Sequence, residues 1–270
     1  MEKNMPSLFE EIERLKVGCR KLAIFWLGQN SFIMKTSRGT IFAVDLYLSR
    51  SEKFKYVYPE PPMRPEEFRG KYVFCTHDHL DHTDPISLPI IAKCSPDTIF
   101  FGPRESCEHL VKLGVEENRV KVLEAGSSYK IGDLRVTPYY SVPPWETECG
   151  DLRITHFGYV FEVEGIKAYN MGDSSKSILK DPEKFLEPVI KERVDVAMLP
   201  IIGDIPERKP EDAFLLAKVI KPKIVIPCHY DCFQDRTINP KVFVQLFREE
   251  LDIKPVVIPY RGLYIYEKTN

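Results

Sequence analysis

The chain has 270 residues, of which 43% are hydrophobic and 29% are charged, close to the usage of ordinary globular proteins. A chain of this length can bury most of its apolar surface without cross-links, and its composition argues against disordered, collagen-like and coiled-coil proteins. The 38 basic and 40 acidic residues leave a formal net charge of −2. That balance offers no overall attraction for nucleic acid or for an anionic membrane.

The sequence also favours a particular compartment. No apolar run approaches the roughly 18 residues of a membrane span, and the acidic start of the chain lacks the apolar stretch of a secretory signal. The seven cysteines are widely spaced and form no Cys-x-x-Cys pair. Such spacing is typical of reduced thiols, so we expect a cytoplasmic protein with no membrane partner and no disulfide framework.

The first part of the chain is predicted to be mostly strands. Ser7 and Glu10 form a capping-box pattern that predicts a short N-terminal helix. From Leu22 onward, three short runs rich in β-branched and aromatic residues predict an antiparallel meander. A proline-rich loop over 49–70 precedes another strand, KYVFCT, and Asp84 with Pro85 predicts the N-cap and first position of a helix.

The rest of the chain alternates strands with helices. The predicted elements are a strand at 98–101, a helix at 103–113, three strands ending near Ser141, an irregular loop at 142–155, a hairpin around Glu164 and Gly165, an amphipathic segment at 182–193, the buried strand VDVAMLP, a helix at 210–220, the strand KIVIPC, a helix at 240–251 and two closing strands. No Gly/Ser-rich linker divides the chain. We therefore expect one domain over 1–270, with two sheets and covering helices.

The strongest chemical signal is a cluster of histidines and aspartates. His77, His79 and His82 lie within six consecutive residues together with Asp78 and Asp81. Mixed imidazole and carboxylate ligands suit Zn²⁺, Mn²⁺ or Fe better than Ca²⁺ or Mg²⁺. The alternative, a solvated polar loop, is disfavoured because the cluster directly follows the apolar strand KYVFC, and loops at strand ends commonly build sites.

Residues 76–82, THDHLDH, resemble the HxHxDH motif of the metallo-β-lactamase superfamily. The resemblance continues in the expected order through Asp45, Asp173 and His229, and it covers about residues 22–235. It implies an α+β fold, a four-layer αββα sandwich of two mainly antiparallel or mixed sheets. The segments at 26–29, 170–174 and 226–231 are most similar to those of the L-ascorbate-6-phosphate lactonase-like hydrolases.

The resemblance also implies a metal-ligand set and a nucleophile. It predicts two divalent metal ions per chain, Zn or Mn with Fe or Ni as alternatives, and a bridging hydroxide that attacks the substrate. Asp45 would orient a ligand from behind, the alternative being a turn carboxylate at a strand end. The implied ligands are His77 and His79 for one metal, Asp81, His82 and His229 for the other, and Asp173 as the bridge between them.

Many superfamily members place a further histidine ligand between the HxHxDH loop and the bridging aspartate. Here that interval contains His109 and His156. His109 falls in a predicted helix, where we expect a surface residue. We interpret His156 as a ligand or a nearby acid–base group; without it the enzyme would work with one metal. Cys75 and Cys228 each precede a ligand position, but strand alternation predicts that they are core residues.

Several other side chains are candidates for substrate contacts. Arg208 is the first choice for anchoring an anionic group, because arginine binds phosphate and carboxylate bidentately. Gln29 and Asn30 follow the first strand near the expected metals, and Tyr230 could donate to a developing oxyanion. Trp145 would cover the substrate, with core packing as the alternative. Other candidates are cations in loops, with a plain surface charge as the alternative for each: Arg50, Lys53, Lys209, Arg236 and Arg261. Cys149 and Cys232 lie nearer the presumed mouth of the site.

These residues predict a metal-dependent hydrolase. We expect it to open a lactone or related ester in a small anionic metabolite, with Asp81, Asp173, His156 and Tyr230 in the catalytic machinery. One alternative is a phosphodiesterase or nuclease of the same fold, although the acidic pI and the absence of a long basic insertion disfavour a large RNA substrate. A second alternative is a non-catalytic metal-binding protein. The resemblance allows a homo-oligomer.

Overall fold

The structure, a computed structural model, describes residues 6–146, 154–203, 208–249 and 252–269. In these ranges, no helix is long and apolar enough to cross a membrane. The strands are β1 (Lys21–Trp26), β2 (Phe32–Thr36), β3 (Ile41–Val44), β4 (Tyr72–Phe74), β5 (Ile99–Gly102), β6 (Val120–Val122), β7 (Tyr129–Ile131), β8 (Leu134–Tyr140), β9 (Phe157–Val163), β10 (Ile166–Asn170), β11 (Val196–Pro200), β12 (Ile224–Cys228), β13 (Lys254–Pro255) and β14 (Leu263–Glu267).

The helices cover the strands from outside. The α-helices are α1 (Leu8–Arg14), α2 (Ser87–Cys94), α3 (Arg104–Lys112), α4 (Pro182–Phe185), α5 (Glu187–Glu192), α6 (Pro210–Ile220) and α7 (Lys241–Gln245). Short 3₁₀ turns lie at Pro65–Glu67, Glu117–Arg119 and Lys176–Lys180.

The strands form two sheets built on the same plan. The first sheet has the order β14-β1-β2-β3-β4-β5-β6, and the second has the order β13-β12-β11-β10-β9-β8-β7. In the first sheet the pairs from β14 to β3 are antiparallel and those from β3 to β6 are parallel. In the second sheet the pairs from β7 to β10 are antiparallel and those from β10 to β13 are parallel. Both sheets are therefore mixed.

Alternation along β1 shows how the layers stack. Ile24 and Trp26 lie in one core cluster with side chains of the second sheet, such as Tyr159. Phe25 lies in another cluster, which includes Ile12 of α1. Because successive side chains of a strand point to opposite faces, one face of this sheet packs on the other sheet and its opposite face packs on helices. This arrangement confirms the predicted αββα sandwich.

Two predicted helix boundaries are wrong. Helix α2 begins at Ser87 instead of Pro85, because the Asp84 carboxylate accepts from the backbone N–H of Ile86 at 2.9 Å and thus builds a turn ahead of the helix. Helix α7 ends at Gln245, well before the predicted end at 251. Beyond it, the Leu246 and Phe247 amides donate to carbonyls three residues back, which tightens the chain into turns.

The N-terminal prediction is confirmed. The Ser7 hydroxyl accepts from the Glu10 amide at 3.3 Å and caps α1. Helices α3 and α6 also match their predicted ranges closely.

Polar loops follow the carboxyl ends of four strands in the middle of the two sheets. These strands are β3, β4, β10 and β12, and the loops after them begin with Asp45, the His77 loop, the Asp173 turn and His229. Two backbone hydrogen bonds tie these loops to others: Phe157 N–H donates to the Thr76 carbonyl at 2.9 Å, and His229 N–H donates to the Gln29 carbonyl at 2.8 Å. The two sheets thus present their polar loops at one end of the sandwich.

Candidate metal centre

The loop after β4 folds its histidines back on themselves. The Thr83 N–H donates to the His79 carbonyl at 2.7 Å, and the Thr83 hydroxyl donates to the His77 carbonyl at 2.8 Å. These bonds bring His77 Nε2 to 2.8 Å from His79 Nδ1. His77 is buried, whereas His79 is partly exposed. The short spacing of this motif therefore gives two imidazoles that face one point.

His156 joins these two residues. One nitrogen from each of His77, His79 and His156 lies within 4.8 Å of the others. The His156 ring stacks on the His77 ring, with 3.9 Å between centroids. The bond between Phe157 N–H and the Thr76 carbonyl explains this placement, because it seats the start of β9 beside the loop. His109 is elsewhere, and its Nδ1 lies 2.7 Å from an Asp78 carboxylate oxygen.

A second group contains Asp81, His82 and His229, whose ligand atoms also lie within 4.8 Å of one another. The Asp81 Oδ2 atom is 3.6 Å from His82 Nε2 and 3.7 Å from His229 Nε2. His229 has a φ of +64°, in the left-handed region. That conformation turns the chain sharply after β12.

The Asp173 carboxylate lies between the two groups. Its Oδ2 atom is 3.6 Å from His82 Nε2 and 4.0 Å from His77 Nε2, and its Oδ1 atom is 3.1 Å from His229 Nε2. The preceding Gly172 has a φ of +62°, and a Cβ there would meet the Phe157 carbonyl at 2.9 Å. Only glycine lets this turn pack so closely against the histidine loops.

Asp45 supports the cluster from behind, as predicted for a residue that orients a ligand. Its carboxylate accepts from the Thr76 N–H, the Thr76 hydroxyl and the Asn30 amide, each at 2.7 Å. Its Oδ2 also lies 2.6 Å from His82 Nδ1. With Nδ1 committed to this carboxylate, His82 Nε2 is left to act as a ligand.

Gln29 and Asn30 have different surroundings. Gln29 Nε2 donates to Asp81 Oδ2 at 2.6 Å and lies 3.0 Å from His229 Nε2, so this side chain borders the second group. Asn30 is fully buried, and its amide is used by Asp45 and by Asn170. The predicted substrate contact of Asn30 is therefore wrong. Sequence reasoning missed the amide of Asn170 as its partner.

Charges in the cluster favour cations. Burial and four neighbouring histidines lower the pKa of His77 well below its ordinary value, which keeps it a neutral imidazole. Burial opposes the charging of His82, but Asp81, Asp45 and Asp173 outweigh it and raise its pKa to about 10. Burial alone would raise the pKa of Asp173, yet His229 and His82 hold it well below its usual range. Burial likewise opposes the ionisation of Asp81, but His82 and His229 lower its pKa, so the Asp81 and Asp173 carboxylates stay ionised and attract cations.

The donor set fits metal ions. In the described part of the chain, His82 Nε2 is buried without a hydrogen-bond partner, although it faces two carboxylates at 3.6 Å. A tetrahedral ion with bonds of about 2.1 Å separates its ligands by about 3.4 Å. The spacings around His82 are close to that value, so these atoms could share an ion.

The remaining predicted residues lie outside this cluster of ligands. The Tyr230 ring is buried and stacks on Trp26 with 4.6 Å between centroids. Tyr230 is therefore a core side chain in this structure, where an oxyanion donor was predicted. Trp145 is 71% exposed and lines a groove of about 740 Å³ with Tyr140 and Phe185. No candidate ligand contributes to the described lining of that groove. The exposure of Trp145 rules out the alternative of core packing, and its role as a cover over the substrate stays a prediction.

Of the predicted core thiols, Cys75 and Cys228 are fully buried, and burial raises the pKa of each. They are therefore protonated core residues.

Two other predicted residues remain. Cys149 lies outside the described residues. Arg208, predicted to anchor an anionic group of the substrate, is 8% exposed and donates to the Ser174 carbonyl.

Comparison with known proteins agrees with the fold and the site. A family model described as "Beta-lactamase superfamily domain" matches residues 23–229. Since this match covers most of the chain, the protein belongs to that superfamily.

Among its relatives is a "UPF0173 metal-dependent hydrolase" of Archaeoglobus fulgidus, 26% identical, with 92% of this chain and 100% of the relative covered. Another is a "Probable L-ascorbate-6-phosphate lactonase UlaG" of Salmonella paratyphi B, 24% identical, with coverages of 91% and 79%. The predicted resemblance to the superfamily and to the lactonase-like proteins is thus confirmed.

Solved structures share the fold. A metallo hydrolase from Ignicoccus hospitalis has a TM-score of 0.68 at 20% identity, with 92% of this chain and 100% of that chain covered. An isothiocyanate hydrolase from Delia radicum gut bacteria has a TM-score of 0.69 at 16% identity, with coverages of 91% and 99%. Family membership and the His/Asp groups together define a metal-dependent hydrolase of the metallo-β-lactamase superfamily.

Proposed function

We propose that this hydrolase opens a lactone or a related ester in a small anionic metabolite, with two divalent ions, Zn²⁺ or Mn²⁺. The position of Asp173 is the main support. Its two carboxylate oxygens face different histidines, Oδ2 toward His82 at 3.6 Å and Oδ1 toward His229 at 3.1 Å. A carboxylate placed between two cations reduces their mutual repulsion. The lactonase relatives at 24% identity support the ester class.

The two groups divide the ligands between the ions. His77, His79 and His156 would hold one ion, and Asp81, His82 and His229 would hold the other, with Asp173 facing both. When bound, two such ions supply a hydroxide nucleophile at neutral pH and polarise the carbonyl under attack. Histidine-rich groups with carboxylates suit Zn or Mn, with Fe or Ni as alternatives.

The protein's own side chains hold this arrangement in place. Asp45 fixes the ring of His82 through Nδ1, and Gln29 holds the Asp81 carboxylate through its amide. Both contacts are buried, so water does not compete for them. Orientation of ligands by such neighbours strengthens metal binding.

The cluster opens to solvent on one side. His79 and Asp173 are partly exposed, whereas His77, His82 and His156 are buried. A structural metal site is normally closed by its protein ligands, while a catalytic site keeps an open position. The opening therefore favours an enzyme over a non-catalytic metal-binding protein.

The test combines metal content with turnover. We would measure metal per chain by mass spectrometry, and hydrolysis of a neutral lactone, an anionic lactone and a phosphodiester in Zn²⁺ and Mn²⁺. Two ions per chain with lactone turnover, both reduced in Asp173→Asn, would support the proposal. Asp78→Asn is the matched control, because Asp78 lies in the same loop, binds His109 and belongs to neither ligand group.

Three other results would contradict parts of the proposal. Turnover of the phosphodiester alone would replace the lactone with a phosphodiester substrate. No metal in the wild-type protein after incubation with Zn²⁺ or Mn²⁺ would overturn the mechanism. A full metal complement in Asp173→Asn would show that Asp173 does not bridge.

A further inference from the structure

Arg208 is enclosed by protein, yet part of its guanidinium is unsatisfied. The residue is only 8% exposed, and its Nη1 donates to the Ser174 carbonyl. Its Nε and Nη2 atoms are buried and have no hydrogen-bond partner among the described residues. Leaving buried donors of a charged group without acceptors costs free energy, so such an edge needs an acceptor.

The two unsatisfied atoms form one edge of the guanidinium. Nε–H and an N–H of Nη2 point in the same direction in its plane, and this edge binds two oxygens of a carboxylate or phosphate in parallel. The Nη1 bond to Ser174 fixes the opposite side. Arg208 is therefore held in one orientation, and its bidentate edge has no acceptor among the described residues.

The position of this edge relates it to the metal centre. Ser174 follows Asp173 in the chain, and the Asp173 carboxylate interacts electrostatically with Arg208. The Ser174 hydroxyl is also buried without a partner in the described chain. The Asp173 carbonyl is held by the Ser141 hydroxyl at 2.6 Å, so the backbone of this turn is fixed. Two unsatisfied polar side chains thus lie beside the residue proposed to face both ions.

We propose that the Arg208 edge and the Ser174 hydroxyl form an anion subsite that binds a substrate group with two coplanar anionic oxygens. A carboxylate and a phosphate share this chemistry. The role of this subsite in catalysis rests on the proposed function, because the subsite would place the anionic end of the substrate beside the metal centre. Anion binding itself does not require turnover.

The first experiment measures binding without metal. Protein treated with a chelator is titrated with inorganic phosphate and, separately, with acetate, by calorimetry. We expect wild type to bind one of them, Arg208→Lys to bind it about 10- to 100-fold more weakly because a lysine cannot form the bidentate edge, and Ser174→Ala to bind it several-fold more weakly. The control is Arg64→Lys, which changes an exposed arginine paired with Glu67.

The results decide both the subsite and its ligand. Preference for phosphate or for acetate identifies which group the substrate carries. Equal binding by wild type and Arg208→Lys, or no binding by wild type, would overturn the proposal. Ser174→Ala keeps the test valid if Arg208→Lys does not fold, because Ser174 contributes only a hydroxyl.

The second experiment uses the metal-loaded enzyme. It compares kcat/KM for an anionic lactone with kcat/KM for its uncharged analogue, and the ratio is expected to fall about 10- to 100-fold in Arg208→Lys. An unchanged ratio would overturn the subsite. Failure of the wild type to hydrolyse any ester would instead overturn the proposed function, and the phosphate titration would still decide the subsite.

Discussion

His82 Nδ1 lies 2.6 Å from Asp45 Oδ2, and both side chains are fully buried. Asp45 therefore determines which nitrogen of His82 is available for a ligand bond. The same carboxylate accepts from the Thr76 N–H, so the orientation of the ring is linked to the backbone of the histidine loop. This pair is as much part of the proposed metal site as the ligands themselves.

Replacing Asp45 by asparagine should weaken the second metal group. An asparagine amide cannot offer the charge that orients His82, and loss of such a partner lowers metal affinity by about 10- to 100-fold. Competition with a chromogenic chelator would measure the affinity. Asp78→Asn serves as the control, and equal affinities of the two variants would contradict the role of Asp45.

Replacing His156 by glutamine should remove one ion and leave the other. His156 belongs to the group with His77 and His79, whereas Asp81, His82 and His229 form a group of their own. We expect the metal content to fall from two ions per chain to one, with loss of most of kcat. His109→Gln, which changes the contact with Asp78, should retain both ions because His109 belongs to neither ligand group of the described residues. If His156→Gln retained both ions, His156 would not be a ligand.

Replacing Tyr230 tests the packing role that the structure assigns to it. Its hydroxyl is buried without a partner among the described residues, so Tyr230→Phe should leave the free energy of unfolding unchanged or raise it by up to about 1 kcal/mol. Tyr230→Ala should lower it by about 3–5 kcal/mol, because the ring stacks on Trp26. Urea denaturation measures both. Loss of turnover in Tyr230→Phe at full metal content would restore the predicted oxyanion donor.

Stability at acid pH should depend on Asp195, far from the metal cluster in sequence. Its carboxylate accepts from Lys268 Nζ at 2.8 Å, the Lys167 N–H at 3.0 Å and the Tyr266 hydroxyl at 3.1 Å. Burial opposes its ionisation, but these contacts outweigh burial and lower the pKa of Asp195. A lowered folded-state pKa means that the stabilisation is present above the unfolded value of about 4 and is lost as the pH falls through the folded value.

Urea denaturation between about pH 3 and pH 7 would check this dependence. Asp195→Asn should be less stable than wild type at pH 7, by about 1–3 kcal/mol, and should lose less stability on acidification. Asp97→Asn, a change at an exposed carboxylate, is the control. Parallel pH profiles for wild type and Asp195→Asn would show that Asp195 does not contribute.

Site residues that are close together in the chain could be predicted from sequence more readily than those brought together by long-range contacts. His77, His79, Asp81 and His82 are close because the chain is short between them, so their clustering is visible in the sequence. His156 lies beside them where the Phe157 N–H donates to the Thr76 carbonyl, a contact between distant segments. The sequence offered His156 beside His109 as a candidate, and the structure was needed to place it in the group with His77 and His79.

The errors have a similar origin. Tyr230 adjoins His229 in the chain, but the left-handed conformation of His229 turns the backbone there, and the Tyr230 ring packs on Trp26. Asn30 follows a strand near the metals, yet its amide pairs with Asn170 on the other sheet. Neither a local backbone reversal nor a pairing across sheets leaves a periodic signal in sequence. Strand alternation does leave one, and it correctly predicted that Cys75 and Cys228 are core residues. The four layers were implied by the resemblance to the superfamily.

The reciprocal amide pair of Asn30 and Asn170 has a consequence for how the protein takes up metal. Each side chain donates to the other, at 3.0 and 3.1 Å, and so joins the turn after β1 to the end of β10. The separation between the two sheets at this end is thus set by the polypeptide before any ion enters. Ions would arrive at a preorganised cradle, so little of their binding energy would be spent on ordering the chain, in contrast to small domains that fold only around their metal.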